Sequence, residues 1–210
     1  MTSAPTFLLT GPASARTTLL LAHGAGAPMD SDWMNAMAEA IAGHGIRVAR
    51  FEFSYMAARR EGLRKPPSPA NILIGEYVKA IAALDHKGRL FIGGKSLGGR
   101  MASMIAGKLF AETTIVGLVC LGYPFHPPGQ PEKLRTDHLE RLACPTLICQ
   151  GERDPFGTKN EVAAYKLSKA VELFWLTDGD HDLKPRKASG KTLADNVAET
   201  AGKVAGWVSD

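Results

Sequence analysis

The sequence predicts an α/β fold, a mostly parallel sheet with helices on both faces. Three observations predict it. Short apolar runs of strand length alternate along the chain with segments whose apolar residues recur at three- and four-residue steps. Clusters of glycine and proline separate the two kinds of segment. The unusual polar residues collect where the apolar runs end, and in such sheets the ligand site lies past the carboxyl ends of the strands.

Phe7 to Thr10 reads as a short edge strand ended by Gly11-Pro12, and Thr17 to Ala22 as a core strand. That strand delivers a small-residue turn, His23-Gly24-Ala25-Gly26-Ala27-Pro28. Asp30 or Ser31 caps a helix carrying Trp33, Met34, Met37, Ala38 and Ile41, closed by Gly43 and Gly45. Arg47 to Phe53 is the next strand. Ser54 to Pro69 is expected as a long polar loop carrying Arg59, Arg60, Arg64 and Lys65. Ile72 to Leu84 is a helix by its spacing. Leu90 to Ile92 is the central strand, and a helix with Met101, Met104, Ile105 and Leu109 follows, to about Phe110. Ile115 to Leu121 is a strand. Prolines then make Pro124 to Leu142 a connection with one short helix, too short for a large lid. Pro145 to Gln150 is a strand, Lys159 to Leu167 a helix, Val171 to Leu176 the last strand, and Ala188 to Val208 a terminal helix.

A length of 210 residues suits one domain, 1–210, with a full core. Apolar content of 45% and charged content of 22% are ordinary for a soluble protein. A net charge of +4 without a dense basic stripe gives no nucleic-acid footprint, so no nucleic-acid partner is expected. No run reaches the length of a membrane span, and the start shows neither leader nor anchor, so no membrane partner is expected. Cys120, Cys144 and Cys149, an odd number in apolar runs, read as reduced buried thiols of a cytoplasmic protein.

The chemistry centres on Leu90 to Gly99, a strand, a tight turn and a helix with Gly94-Lys95-Ser96-Leu97-Gly98 at the corner. A nucleophile elbow strains the serine backbone to lift its hydroxyl above the sheet, and glycines two residues either side avoid backbone collisions. The plainer alternative is a close-packed turn. A phosphate loop is excluded because position 89 is Arg89, where that motif needs glycine, and the residues between are strand-like.

A serine hydroxyl needs a base, and the base a carboxylate. Of six histidines, His181 alone follows the last strand on a free loop. His126 is the runner-up; His23 reads as structural beneath the turn, and His44, His86 and His138 lie elsewhere. Asp154, on the Arg-Asp-Pro-Phe turn, is the carboxylate, although an Asx-turn explains it locally. Glu152 is too near its strand, and Asp178, Asp180 and Asp182 share the histidine's loop. Ser96, Asp154, His181 is the serine–acid–histidine order of α/β-hydrolases. The oxyanion donors are expected to be the N–H groups of Leu97 and Ala25.

The segments His-Gly-Ala-Gly-Ala, Gly-Gly-Lys-Ser-Leu-Gly-Gly-Arg and Gly-Glu-Arg-Asp-Pro-Phe-Gly resemble the α/β-hydrolase superfamily, in its small, lidless, dienelactone-hydrolase-like branch. They look closer still to a family of bacterial predicted hydrolases related to the hydrolase-like domain of a eukaryotic chromatin-complex subunit. The resemblance covers about residues 7 to 208. It implies a single-domain α/β-hydrolase fold, the triad Ser96, Asp154 and His181, and oxyanion donors at Leu97 and Ala25. Dienelactone hydrolases proper use cysteine where this chain has Ser96.

The function expected is a serine hydrolase of small or medium carboxylic esters or thioesters, acting on a small-molecule acyl substrate with no cofactor or metal. The basic cluster Arg59, Arg60, Arg64, Lys65, with Arg100 beside the elbow, reads either as a solvated loop or as a preference for an anionic substrate. The other readings are a non-catalytic binding or scaffold module and an acyltransferase with the same triad. Substrate and oligomeric state are not legible.

Overall fold

A computed structural model describes residues 5–209; the leader expectation rests partly on residues outside that range. In chain order the strands are β1 (Phe7–Thr10), β2 (Thr17–Ala22), β3 (Arg47–Phe51), β4 (Arg89–Lys95), β5 (Gly117–Leu121), β6 (Thr146–Gly151) and β7 (Val171–Leu176). They line up as β1-β3-β2-β4-β5-β6-β7 in one sheet. Only β1 is antiparallel, pairing Phe7 with Phe51 and Thr10 with Val48.

Successive side chains of a strand point to opposite faces, and the sequence uses this on both sides. Leu19 and Leu21 of β2 and Phe91 of β4 face α1 (Asp32–Ala42) and α6 (Leu193–Ser209), against Met37, Ile41, Val204 and Val208. Leu20, Ala22 and Ile92 face the other way, toward α3 (Ala70–Ala83) and α4 (Leu97–Ala111), against Leu73, Met101 and Ala102. Tyr77 of α3 is fully buried, and its hydroxyl takes the N–H of Gly93 at 3.0 Å and lies 2.6 Å from the Gly93 carbonyl. It thereby settles main-chain polar groups in the middle of the core.

Several segments depart from the sequence expectation. Ser54 to Arg60 is a helix, α2, not the start of a loop, with Tyr55 and Met56 buried. Its end is capped from afar, since Glu76 accepts the Ser54 N–H at 2.8 Å and its hydroxyl at 2.5 Å. Strand β3 stops at Phe51, two residues early. The helix expected over Lys159 to Leu167 is a single turn, α5 (Lys159–Val162), opened by a capping box between Thr158 and Glu161. Beyond it turns carry Tyr165 and Leu167 onto the core. No helix forms over Pro124 to Leu142; turns there bury Phe125, Leu139 and Leu142. The terminal helix begins at Leu193 rather than Ala188, because Gly190 at φ 74° ends a 3-10 turn and Thr192 with Asp195 caps anew. Among the described residues no helix is long and apolar enough to cross a membrane.

Candidate active site

Strand β4 runs into α4 through Ser96, whose φ of 51° and ψ of −113° are strained for a residue with a side chain. Its flanking glycines leave no alternative. A Cβ on Gly98 would lie 2.3 Å from the Ala22 carbonyl oxygen, and one on Gly94 2.4 Å from the same atom. Strain of this kind costs about 1–3 kcal/mol and persists only where packing over-determines it.

Three loops bring three side chains together. Oγ of Ser96 is 2.8 Å from Nε2 of His181, and Nδ1 of His181 is 2.8 Å from Oδ2 of Asp154. A carboxylate only accepts, so Nδ1 carries the proton and Nε2 accepts from the serine hydroxyl. Asp154 is fully buried and its charge is compensated by local donors. The Phe156 N–H reaches Oδ1 at 2.8 Å, and the Gln150 amide reaches Oδ2 at 2.8 Å. The Asx-turn and the bond to His181 therefore use different oxygens and coexist. The Phe156 ring stacks beside the imidazole, 4.1 Å between centroids.

Leu97 is the first residue of α4, so its N–H has no partner within the helix. The turn carrying Ala25 passes alongside, since a Cβ on Gly24 would lie 3.7 Å from that of Ser96. His23 beneath it is buried, with Nδ1 2.6 Å from the Gly24 carbonyl and Nε2 accepting the Phe53 N–H at 3.1 Å. Burial lowers its pKa, which keeps that acceptor neutral. The Tyr55 hydroxyl adds a bond to the Ala25 carbonyl at 3.2 Å.

The other candidates point elsewhere. His126 is buried with Nδ1 on the Pro127 carbonyl and Nε2 3.6 Å from Glu161. Glu152 pairs with Lys159, Asp178 with Arg186 and Arg153, and Asp180 caps the N–H groups of Asp182 and Lys184. Among the described residues no group of three or more His, Cys, Asp or Glu side chains could hold a metal ion.

A cavity of about 310 Å³ opens over Ser96, walled by Ala25, Trp33, Met34 and Phe156. The basic cluster does not line it. Arg60 is paired with Asp30 and Glu52, each at 2.7 Å, while Arg59, Arg64 and Lys65 line a separate depression. Sequence reasoning missed Gln150, Lys95 and Trp33. Gln150 left a signal, since one amide in an otherwise apolar strand must find buried partners, and it bonds Tyr123, Gly157 and Asp154.

A parallel sheet with an antiparallel first strand, and a strained serine at the central strand-to-helix corner, define an α/β hydrolase. The chain matches the family model described as alpha/beta hydrolase domain over residues 15–209, and it belongs to that family. Among solved structures it is similar to an alpha-beta serine hydrolase homologue from Coxiella burnetii (16% identity, TM-score 0.70, covering 95% of this chain and 89% of that one). It is similar also to Est1E from Butyrivibrio proteoclasticus (13%, 0.71, 99% and 100%). A third is the dienelactone hydrolase from Anabaena variabilis (21%, 0.68, 98% and 97%). At these identities the likeness concerns the fold.

Proposed function

We propose that the protein is a serine hydrolase of small or medium carboxylic esters or thioesters. The unbroken hydrogen-bonded chain from Ser96 through His181 to buried Asp154 carries this reading. Ser96 Oγ attacks the acyl carbon as its proton passes to Nε2 of His181. Asp154 holds the ring and stabilises the imidazolium. The carbonyl π electrons move onto oxygen, and the N–H groups of Leu97 and Ala25 bind the resulting oxyanion. The intermediate collapses, His181 returns the proton to the departing alcohol or thiol, and an acyl-Ser96 ester remains. Water then repeats the sequence, with His181 as base and afterwards acid, releasing the carboxylic acid and free serine.

The modest volume of the cavity, with Ala25, Trp33, Met34 and Phe156 in its walls, favours a small acyl group. Three buried unpaired thiols accord with a reducing, cytoplasmic setting. The test is labelling of the folded protein by a fluorophosphonate probe, followed by a panel of short acyl esters. We expect one label per chain, absent in Ser96→Ala, and kcat/KM for the best ester lowered about 10⁴-fold or more in that variant. A folded wild-type protein that takes no label would make this a binding module on a hydrolase fold.

A further inference from the structure

The residue between Gly94 and Ser96 is a lysine, and it is only 6% exposed. An ammonium there loses most of its hydration, and burial pushes its pKa down. The core does not ask for that charge, since an apolar chain of similar length would fill the space without the loss. What the ammonium touches is therefore informative. Nζ donates to the main-chain carbonyl of His181 at 2.7 Å and lies 3.1 Å from Oδ1 of Asp182. It also sits over the Trp33 ring, 5.4 Å from its centroid, and the Trp33 indole N–H donates to the Asp182 carbonyl at 2.7 Å. Two successive carbonyls of the histidine loop are thus tied down, one to β4 and one to α1. The exit of β5 leaves room for this contact. Gly122 has φ 67°, and a Cβ there would lie 2.8 Å from the His181 carbonyl oxygen and 3.3 Å from Lys95 Nζ.

We propose that Lys95 is a positioning residue for His181, fixing the main chain of its loop so that the imidazole stays between Ser96 and Asp154. Those two partners hold the ring, whereas Lys95 holds the backbone that carries it. Because Lys95 adjoins Ser96 in the chain, the base is registered against the nucleophile itself and not against a remote element. This role rests on the hydrolase reading for the reaction it serves.

Lys95→Met tests it, since Asp182 is largely exposed and keeps its own hydration when the ammonium goes. On a short acyl ester kcat should fall about tenfold or more, the scale of a small misplacement of a reacting group. KM should stay within about twofold and the melting temperature should not drop. The low-field proton resonance of His181 Nδ1–H, expected to be sharp in the wild type, should broaden or vanish. Lys95→Gln, which keeps an N–H donor, should recover part of the rate. Unchanged kcat with an unchanged resonance overturns the role. So does a raised KM at constant kcat, which would make Lys95 a substrate contact. Should Lys95→Met not fold, wild-type kcat and a sharp resonance in Lys95→Gln are the overturning result. A wild type that shows the resonance yet cleaves no ester defeats the hydrolase reading, and comparing resonances then decides Lys95 alone.

Discussion

His23 shows how one ring couples acidity to the shape of the site. Its Nε2 accepts the Phe53 N–H while Nδ1 faces the Gly24 carbonyl, so both nitrogens are committed in the neutral form. Burial, assisted by the cations of Arg59 and Arg60, lowers its pKa from 6.5, against weaker opposing effects of Gly24 and Glu52. Well above pH 6.5 neither the folded nor the unfolded chain protonates this residue, and its contribution to stability is complete. Below 6.5 the unfolded chain takes up a proton that the folded one refuses, and stability falls with pH, by at most about 1.4 kcal/mol per unit. His138, also lowered by burial and by Arg100, adds to the same slope. Urea unfolding between pH 7.5 and 5.5 should show the decline, and His23→Gln should flatten it while lowering stability at pH 7.5. An equal slope in the variant would assign the effect elsewhere.

Among the elements, α3 is tied to the sheet through the Tyr77 hydroxyl on Gly93 and on the Leu20 carbonyl at 3.0 Å. Tyr77→Phe removes these buried bonds and should cost about 1–3 kcal/mol, read as a lower urea midpoint at unchanged slope. Unaltered stability would mean that β4 pairs its own backbone without help. Elements that follow from local pattern were legible in the sequence. The strands Phe7 to Thr10, Thr17 to Ala22 and Val171 to Leu176 have the expected bounds, whereas the central strand expected over Leu90 to Ile92 runs on to Lys95. What was not legible depends on distant partners. Helix α2 is capped by Glu76, 22 residues away, and looked like a charged loop because its arginines hid a run of good helix formers. Around the site, Ser96, Asp154 and His181 stand out because each follows a strand at the same edge of the sheet. Lys95 and Trp33 do not, because their contacts exist only once the histidine loop has been laid across them.

Across the whole molecule, the segment between β5 and β6 lies against the protein and not over the cavity. Phe125, Leu139 and Leu142 anchor it in the core, and the Arg135 N–H bonds the Phe125 carbonyl at 2.8 Å. Rates should therefore rise smoothly as an ester passes its solubility limit, with no jump at an oil–water boundary, and kcat/KM should drop about tenfold or more from butanoate to dodecanoate. A jump, or a preference for the longer chain, would show a movable cover. The order of the strands has one more consequence. The hydroxyl stands on the middle of the sheet, the carboxylate follows the sixth strand and the imidazole the seventh, so the base joins its partners only when the outermost strand has docked. Under the proposed function a newborn polypeptide would thus stay chemically silent through most of its maturation, and its reactivity would announce that assembly is finished.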